Sequence, residues 1–194
     1  MKPLYPKPLP FQTVFGRYRW FRYGIFLLGV GLSASLIIPR TFEGKVVPVD
    51  GDSFYIGNLG VRLIGIDAPE WAQTCEKDGA KWPCGEAAAD LLSKLVGDVT
   101  VKCRGGRRDH YDRLLAVCSA GSVELNREMV EQGFAIAKGG YADSEARAKA
   151  RKVGIWAGKF DDPKLWRQAF YSEKAIDHRT GHARHRNPRL PAVR

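Results

Sequence analysis

The sequence predicts an α+β fold: a small five-stranded β-barrel carrying about three helices, preceded by one N-terminal transmembrane helix. Three observations lead there. A run of 17 residues near the N-terminus holds no charged side chain. From residue 44, short strand-like runs are punctuated by Asp-Gly and Asn-Leu-Gly turns. Three later segments repeat their apolar residues at helical spacing.

Residues 1–22 are basic, with Lys2, Lys7, Arg17, Arg19 and Arg22, and residues 23–39 form the uncharged run. A helix spans hydrocarbon with about 20 apolar residues and a lower limit near 17, so the run meets the requirement. Cations ahead of it and none within it predict a signal-anchor with the N-terminus inside and the rest of the chain outside. The alternative is a cleaved signal peptide. Ser33-Ala34-Ser35 offers a small-x-small site, but Leu36, Ile37 and Ile38 extend the apolar run beyond it, which favours retention.

Residues 44–49, 53–56 and 61–66 read as a strand meander. Residues 86–95 read as a helix stopped by Gly97, and 99–104 and 113–118 as two further strands. Residues 126–132 and 144–153 are amphipathic helices, the second with Ser144 as N-cap and Gly154 as stop. Five short strands with interleaved helices suggest a partly open barrel of the OB type. Residues 159–194, with His178, His182 and His185 among arginines, read as a basic tail.

A hydrophobic content of 44% is that of a folded chain and excludes wholesale disorder. The net charge of +10 is unevenly spread: six Lys/Arg and no acid lie in residues 1–40, nine against four in 159–194, and sixteen against seventeen in 41–158. Recognition of a polyanion by the middle region would therefore rest on individually placed arginines rather than a globally positive face.

Cys75, Cys84, Cys103 and Cys118 all lie in the part placed outside the membrane, where an even number favours two bridges among three possible connectivities. Cys103 and Cys118 sit on two strands expected to be antiparallel neighbours, while Cys75 and Cys84 bracket a short polar loop. The expectation is Cys75 with Cys84 and Cys103 with Cys118. A zinc site competes weakly, because no C-x-x-C spacing occurs.

Acidic and guanidinium groups cluster around the first three strands. Asp50-Gly51-Asp52 closes one strand, Arg62 lies within the third, and Asp67-Ala68-Pro69-Glu70 follows it. Two aspartates at adjacent strand ends suit calcium, a hard cation that takes six to eight oxygen ligands, and Glu70 could hold a water beside it. In a regular strand Arg62 and Asp67 face opposite sides, so they meet only if the strand bends, which Gly65 permits. Arg113 starts a later strand, and an arginine fork matches two phosphate oxygens. Taken singly, each of these is an ordinary turn or surface residue.

In combination they resemble a known family. The blocks V-D-G-D-S at 49–53, R-L-I-G-I-D-A-P-E at 62–70, D-H-Y-D-R-L-L-A at 109–116, L-N-R-E-M-V-E-Q-G-F-A at 125–135 and S-E-A-R-A-K-A-R-K-V-G-I-W at 144–156 are similar to the staphylococcal nuclease family, in its exported bacterial branch. The resemblance covers about residues 42–158 and implies an OB barrel with three helices. It implies Asp52, Asp67 and the carbonyl of Ala68 as calcium ligands, and Glu70 as the carboxylate beside the attacking water. Arg62 and Arg113 fall at its phosphate-binding arginines, Asp50 at an acidic residue behind the ligands, and Tyr111 and Tyr141 at tyrosines lining the nucleotide pocket. Three positions depart from the family: Ala68 stands for a threonine, Asp112 for a glycine that needs a left-handed backbone, and Gly139 for another pocket tyrosine.

The implied function is a calcium-dependent nuclease hydrolysing DNA and RNA with little sugar specificity, expected as a monomer and held at the bacterial cytoplasmic membrane with the nuclease domain outside. The alternative is a non-catalytic OB module that binds nucleic acid without chemistry, or, for location, a secreted or periplasmic protein. A binder has no need of the metal-side and water-side carboxylates, and all of them are present. The location has a direct test: with a retained anchor, full-length protein stays in the membrane fraction after a high-salt wash, whereas a soluble form beginning near Leu36 means that residues 23–39 are cleaved.

Overall fold

The computed structural model describes residues 40–180. The proposed membrane segment, residues 23–39, lies outside them, and among the described residues no helix is long and apolar enough to cross a membrane. Strands β1 (Arg40–Gly44), β2 (Val46–Pro48), β3 (Ser53–Ile56) and β4 (Leu59–Leu63) come first, followed by the short β5 (Ile66–Asp67). A hairpin of β6 (Cys75–Lys77) and β7 (Ala80–Trp82) leads into helix α1 (Cys84–Val96). The long pair β8 (Val101–Arg108) and β9 (Leu114–Ala120) follows, then β10 (Val123–Glu124), α2 (Leu125–Glu131), β11 (Ile136–Ala137), α3 (Ala142–Arg151) and α4 (Pro163–Thr180).

The main sheet runs β1-β8-β9-β4-β3-β2, with β10 paired on β9. Only β4 and β9 are parallel; the other pairs are antiparallel. The two ends of this order, β1 and β2, are consecutive in the chain and separated by Lys45 alone. One stretch of chain therefore pairs with β8 on one side and β3 on the other, and the sheet must curl to allow it. The result is a mixed α+β fold with an OB-like curled sheet. The five expected strands are all found, as are the three expected helices, and two differences have local causes. The strand expected over 61–66 breaks after Leu63, because Gly65 adopts a φ of +83°. Ser144 is not an N-cap: α3 begins two residues earlier, and Ser144 is buried within it, its hydroxyl bonded by Arg127 and Arg147.

A third difference adds a helix. Residues 163–180, assigned above to the basic tail, form α4. Its start has a regular cause: Pro163 supplies a preset φ in the first turn, and Asp162 Oδ1 accepts the Lys164 N–H as a cap.

The barrel core comes from strand alternation. Val101 and Cys103 on β8 and Leu114, Ala116 and Cys118 on β9 point inward, beside Phe54, Val61 and Leu63. Leu92 of α1 and Leu125, Met129 and Val130 of α2 pack on the same cluster. Both expected disulfides form, and no described cysteine is free. Cys103 and Cys118 stand opposite one another in the β8–β9 register, with Cα atoms 4.1 Å apart, while Cys75–Cys84 ties the hairpin to the first residue of α1.

These bridges predict a thiol count and a stability. Alkylation of unreduced, denatured protein should label no cysteine. Replacing Cys75 and Cys84 with alanine should destabilise the fold by about 2–3 kcal/mol in denaturant titrations, the closure entropy of a loop of this size; an unchanged midpoint would mean that the loop is held without the bridge.

Candidate active site

The turn between β2 and β3 is made by Asp50. Its Oδ1 accepts the Asp52 N–H at 3.0 Å and the Ser53 hydroxyl at 2.8 Å, an Asx-type turn that sends Asp52 inward. Asp52 is buried; its Oδ2 accepts the Ala68 N–H at 3.2 Å and meets Arg62 Nη2 at 2.7 Å. Burial first, and then the charge of Asp50, pushes its carboxyl well above the usual range, against the opposing pull of Arg62.

Arg62 lies on β4 and Asp67 on β5. The bend at Gly65 turns them together, and Arg62 Nη2 donates to Asp67 Oδ1 at 2.8 Å. Asn126, fully buried on α2, fixes the bend: its amide nitrogen donates to the carbonyls of Ile64 at 2.9 Å and Ala116 at 3.1 Å, while its oxygen accepts the Cys118 N–H at 3.0 Å.

Glu70 is held from two sides. Its N–H donates to Gln73 Oε1 at 3.2 Å, and the buried Gln73 donates from Nε2 to the Asp161 carbonyl at 2.8 Å. The first turn of α1 presses on it from below. A Cβ on Gly85 would sit 1.7 Å from the Glu70 carbonyl oxygen, so no other residue fits at position 85. Burial raises the Glu70 carboxyl, and the hydrogen bond and charge of Arg167 oppose the rise.

Arg167 was not singled out in the sequence. From α4 it donates through Nη1 to Glu70 and through Nη2 to both oxygens of Asp67, at 3.0 and 3.1 Å. The signal that could have found it is Asp162-Pro163, a cap and first-turn pair that starts a helix and brings residue 167 back to the barrel.

Arg113 stands immediately ahead of β9. Its Nε and Nη2 both reach Asp109 Oδ2 at 2.8 Å, and Asp109 Oδ1 accepts the N–H groups of Tyr111 and Arg113. Its stem lies over Gly60, two residues before Arg62 on β4, so both guanidinium stems belong to one face of the sheet. Tyr111 is 69% exposed, with the Arg113 guanidinium 5.3 Å from its ring centroid. Asp112 takes the left-handed backbone, φ +63°, that a glycine would have supplied, and its carboxylate pairs with Arg108. Tyr141 is placed differently: its ring packs on Gly65, the Arg127 guanidinium lies over it, and burial together with a hydrogen bond to Glu124 pushes its phenol up. The structure thus gathers Asp52, Arg62, Asp67 and Glu70 into one cluster, puts Arg113 with Tyr111 on the same sheet face, keeps Asp50 in the supporting turn, and rests the half-buried Tyr141 ring on Gly65 at the bend. Among the described residues no three His, Cys, Asp or Glu side chains form a ready metal cage.

Comparison with known proteins finds related chains. A family model described as staphylococcal nuclease homologue matches residues 60–158. The chain is 32% identical over 149 residues to an uncharacterized endonuclease of Haemophilus influenzae, covering 70% of this chain and 79% of that protein. It is 33% identical over 125 residues to a probable endonuclease LCL3 of Verticillium alfalfae, covering 55% and 42%. Against the endonuclease YhcR of Bacillus subtilis it is 29% identical over 140 residues, covering 66% of this chain and 12% of that much longer protein. Asp50 and Asp52 precede the matched span, so their place in the site rests on the contacts above.

The cluster carries a stability cost that can be measured. Asp52 is a buried carboxylate beside two others, so Asp52→Asn should raise the melting temperature of chelator-treated protein by a few degrees, about 1 kcal/mol. A fall of similar size would mean that the Arg62 pair outweighs burial.

Proposed function

Because this chain belongs to the staphylococcal nuclease family and is a nuclease, a phosphodiester hydrolase, we propose that it is a calcium-dependent enzyme that cleaves both DNA and RNA with little regard for the sugar, leaving 3′-phosphates. The observation that carries this reading is the convergence of Asp52 and Asp67 on Arg62 at the bend between β4 and β5, with Glu70 joined to Asp67 through Arg167. A nucleic-acid-binding module would gain nothing from burying such a set.

The donors fit calcium. Asp52 and Asp67 offer carboxylate oxygens, with the carbonyl of Ala68 next to Asp67 in the chain, so the proposed donors are all hard oxygens. The crowding of Asp52 by Asp50 and Asp67 is what a bound dication would relieve. A calcium ion bound there would neutralise charge developing on the phosphodiester oxygens. Glu70, made more basic by burial and fixed through Gln73, takes the proton of a water attacking phosphorus, whose bond to the leaving oxygen then breaks. Arg62 and Arg113, on one sheet face, spread the remaining charge of the transition state. Tyr111 offers an exposed ring for a neighbouring base, and Tyr141 contributes packing. One copy of the chain contains the whole cluster, consistent with a monomer. Two disulfides support a place outside the cytoplasm, and the uncharged run 23–39 supports a membrane tether there.

Turnover, KM and calcium dependence of the purified full-length chain on single-stranded DNA and on RNA test the reading. Wild type should be active with calcium and inactive in chelator. Glu70→Gln should lower turnover about 10²- to 10⁴-fold with little change in KM and no recovery at high calcium. Arg113→Lys keeps the charge, loses the fork, and should also act mainly on turnover. Asp52→Asn should recover part of its loss as calcium rises, because mass action refills a weakened site. Near-normal turnover in both Glu70→Gln and Arg113→Lys would leave only a nucleic-acid-binding domain.

A further inference from the structure

Arg167 lies beyond the span that the family model matches, on a helix that the resemblance does not include, yet it makes the densest set of charge contacts in the site. Its guanidinium engages both oxygens of Asp67 and one oxygen of Glu70, while Arg62 already holds Asp67 Oδ1 and Asp52 Oδ2. Two guanidinium groups and three carboxylates thus form a network in which neither Asp67 oxygen is left without a cationic neighbour. A dication that binds Asp67 has to approach an oxygen that Arg167 occupies, against the charge of that guanidinium at close range.

The helix itself does not depend on this contact. Its start is held by the Asp162 cap, by the Lys138–Asp162 ion pair at 2.9 Å and by the bond from Gln73 to the Asp161 carbonyl. Arg167 can therefore release the carboxylates while the first turn of α4 stays docked.

We propose that Arg167 is a built-in counter-cation, a positioning residue that holds Asp67 and Glu70 together in the metal-free enzyme and competes with calcium for Asp67. This rests on the calcium reading above and adds to it a residue outside the family's shared core. Coupling is reciprocal: whatever Arg167 contributes to the metal-free site opposes cation binding, and bound cation loosens the hold of α4 on the carboxylates. The side chain also keeps two like charges from repelling one another before the cation arrives.

The test is calcium binding by titration calorimetry on the purified full-length chain without nucleic acid. Arg167→Gln should lower the calcium Kd about fivefold or more, within the usual range of such couplings. Arg167→Lys, which keeps one charge but cannot grip both carboxylates, should fall between the two, and it carries the comparison if the glutamine variant folds poorly. Melting temperatures supply a second readout: Arg167→Gln should be destabilised in chelator and much less so, or not at all, in saturating calcium. A purely structural arginine would lower both melting temperatures equally and leave Kd unchanged. Equal or weaker calcium binding by the variants overturns the competition and leaves the calcium site standing, whereas no calcium binding by wild type or variants overturns both.

Discussion

The site depends on one buried amide. Asn126 satisfies three backbone groups at once, two carbonyls and an N–H, at the point where β4 stops being a strand. Without that bend the alternation of a regular strand would set Arg62 and Asp67 on opposite faces. With it, β5 turns back beside β11, Asp67 meets Arg62, and the Ala68 N–H reaches Asp52. The cost of leaving any of these groups unpaired in the core makes the arrangement all or none. A side chain with no part in chemistry thereby decides whether the chemical groups converge.

Around this bend the sheet acts as a rigid frame. Its outer strands are one continuous stretch of chain, and its interior is filled by aliphatic side chains together with Phe54, Met129 and the Cys103–Cys118 bridge. The polar groups sit at strand ends and turns, where backbone hydrogen bonds are already satisfied elsewhere and side chains can face one another. The division suits catalysis, because charged groups are held close by backbone geometry rather than by their own attraction. Gly85 shows the same logic from below: α1 approaches the Glu70 backbone so closely that only a hydrogen fits between them.

Most of the frame was legible in the sequence because its signals are local. Strand alternation in β8 and β9, the helical spacing of α1, α2 and α3, and the cysteine positions on neighbouring strands all act within a dozen or so residues. Gly65 was legible as a place where a strand could bend, and the bend is there. Tyr141 was harder, since a half-buried tyrosine beside a site looks the same in sequence whether it stacks on a ligand or packs on a glycine; the structure puts its ring on Gly65. Ser144 misled because a serine ahead of an apolar run resembles a cap, whereas its hydroxyl serves Arg127 and Arg147. Arg167 was not legible as a site residue, because its partners lie 97 and 100 positions earlier and no periodicity encodes such a distance. Its helix was hidden by composition: basic and histidine-rich sequence reads as solvated, although Asp162-Pro163 marks a helix start.

That separation of 97 to 100 residues also orders events in time. A ribosome adds about 5–20 residues per second, so roughly 5–20 s pass between the synthesis of Glu70 and that of Arg167. The strands and α1 to α3 precede α4 in the chain, and their contacts can form before it docks. During that interval Glu70 is without its ion-pair partner and Asp67 has Arg62 alone. The helix that completes the charge balance of the site thus joins after the strands that build its frame, and until it docks the acidic side of the site rests on Arg62 alone.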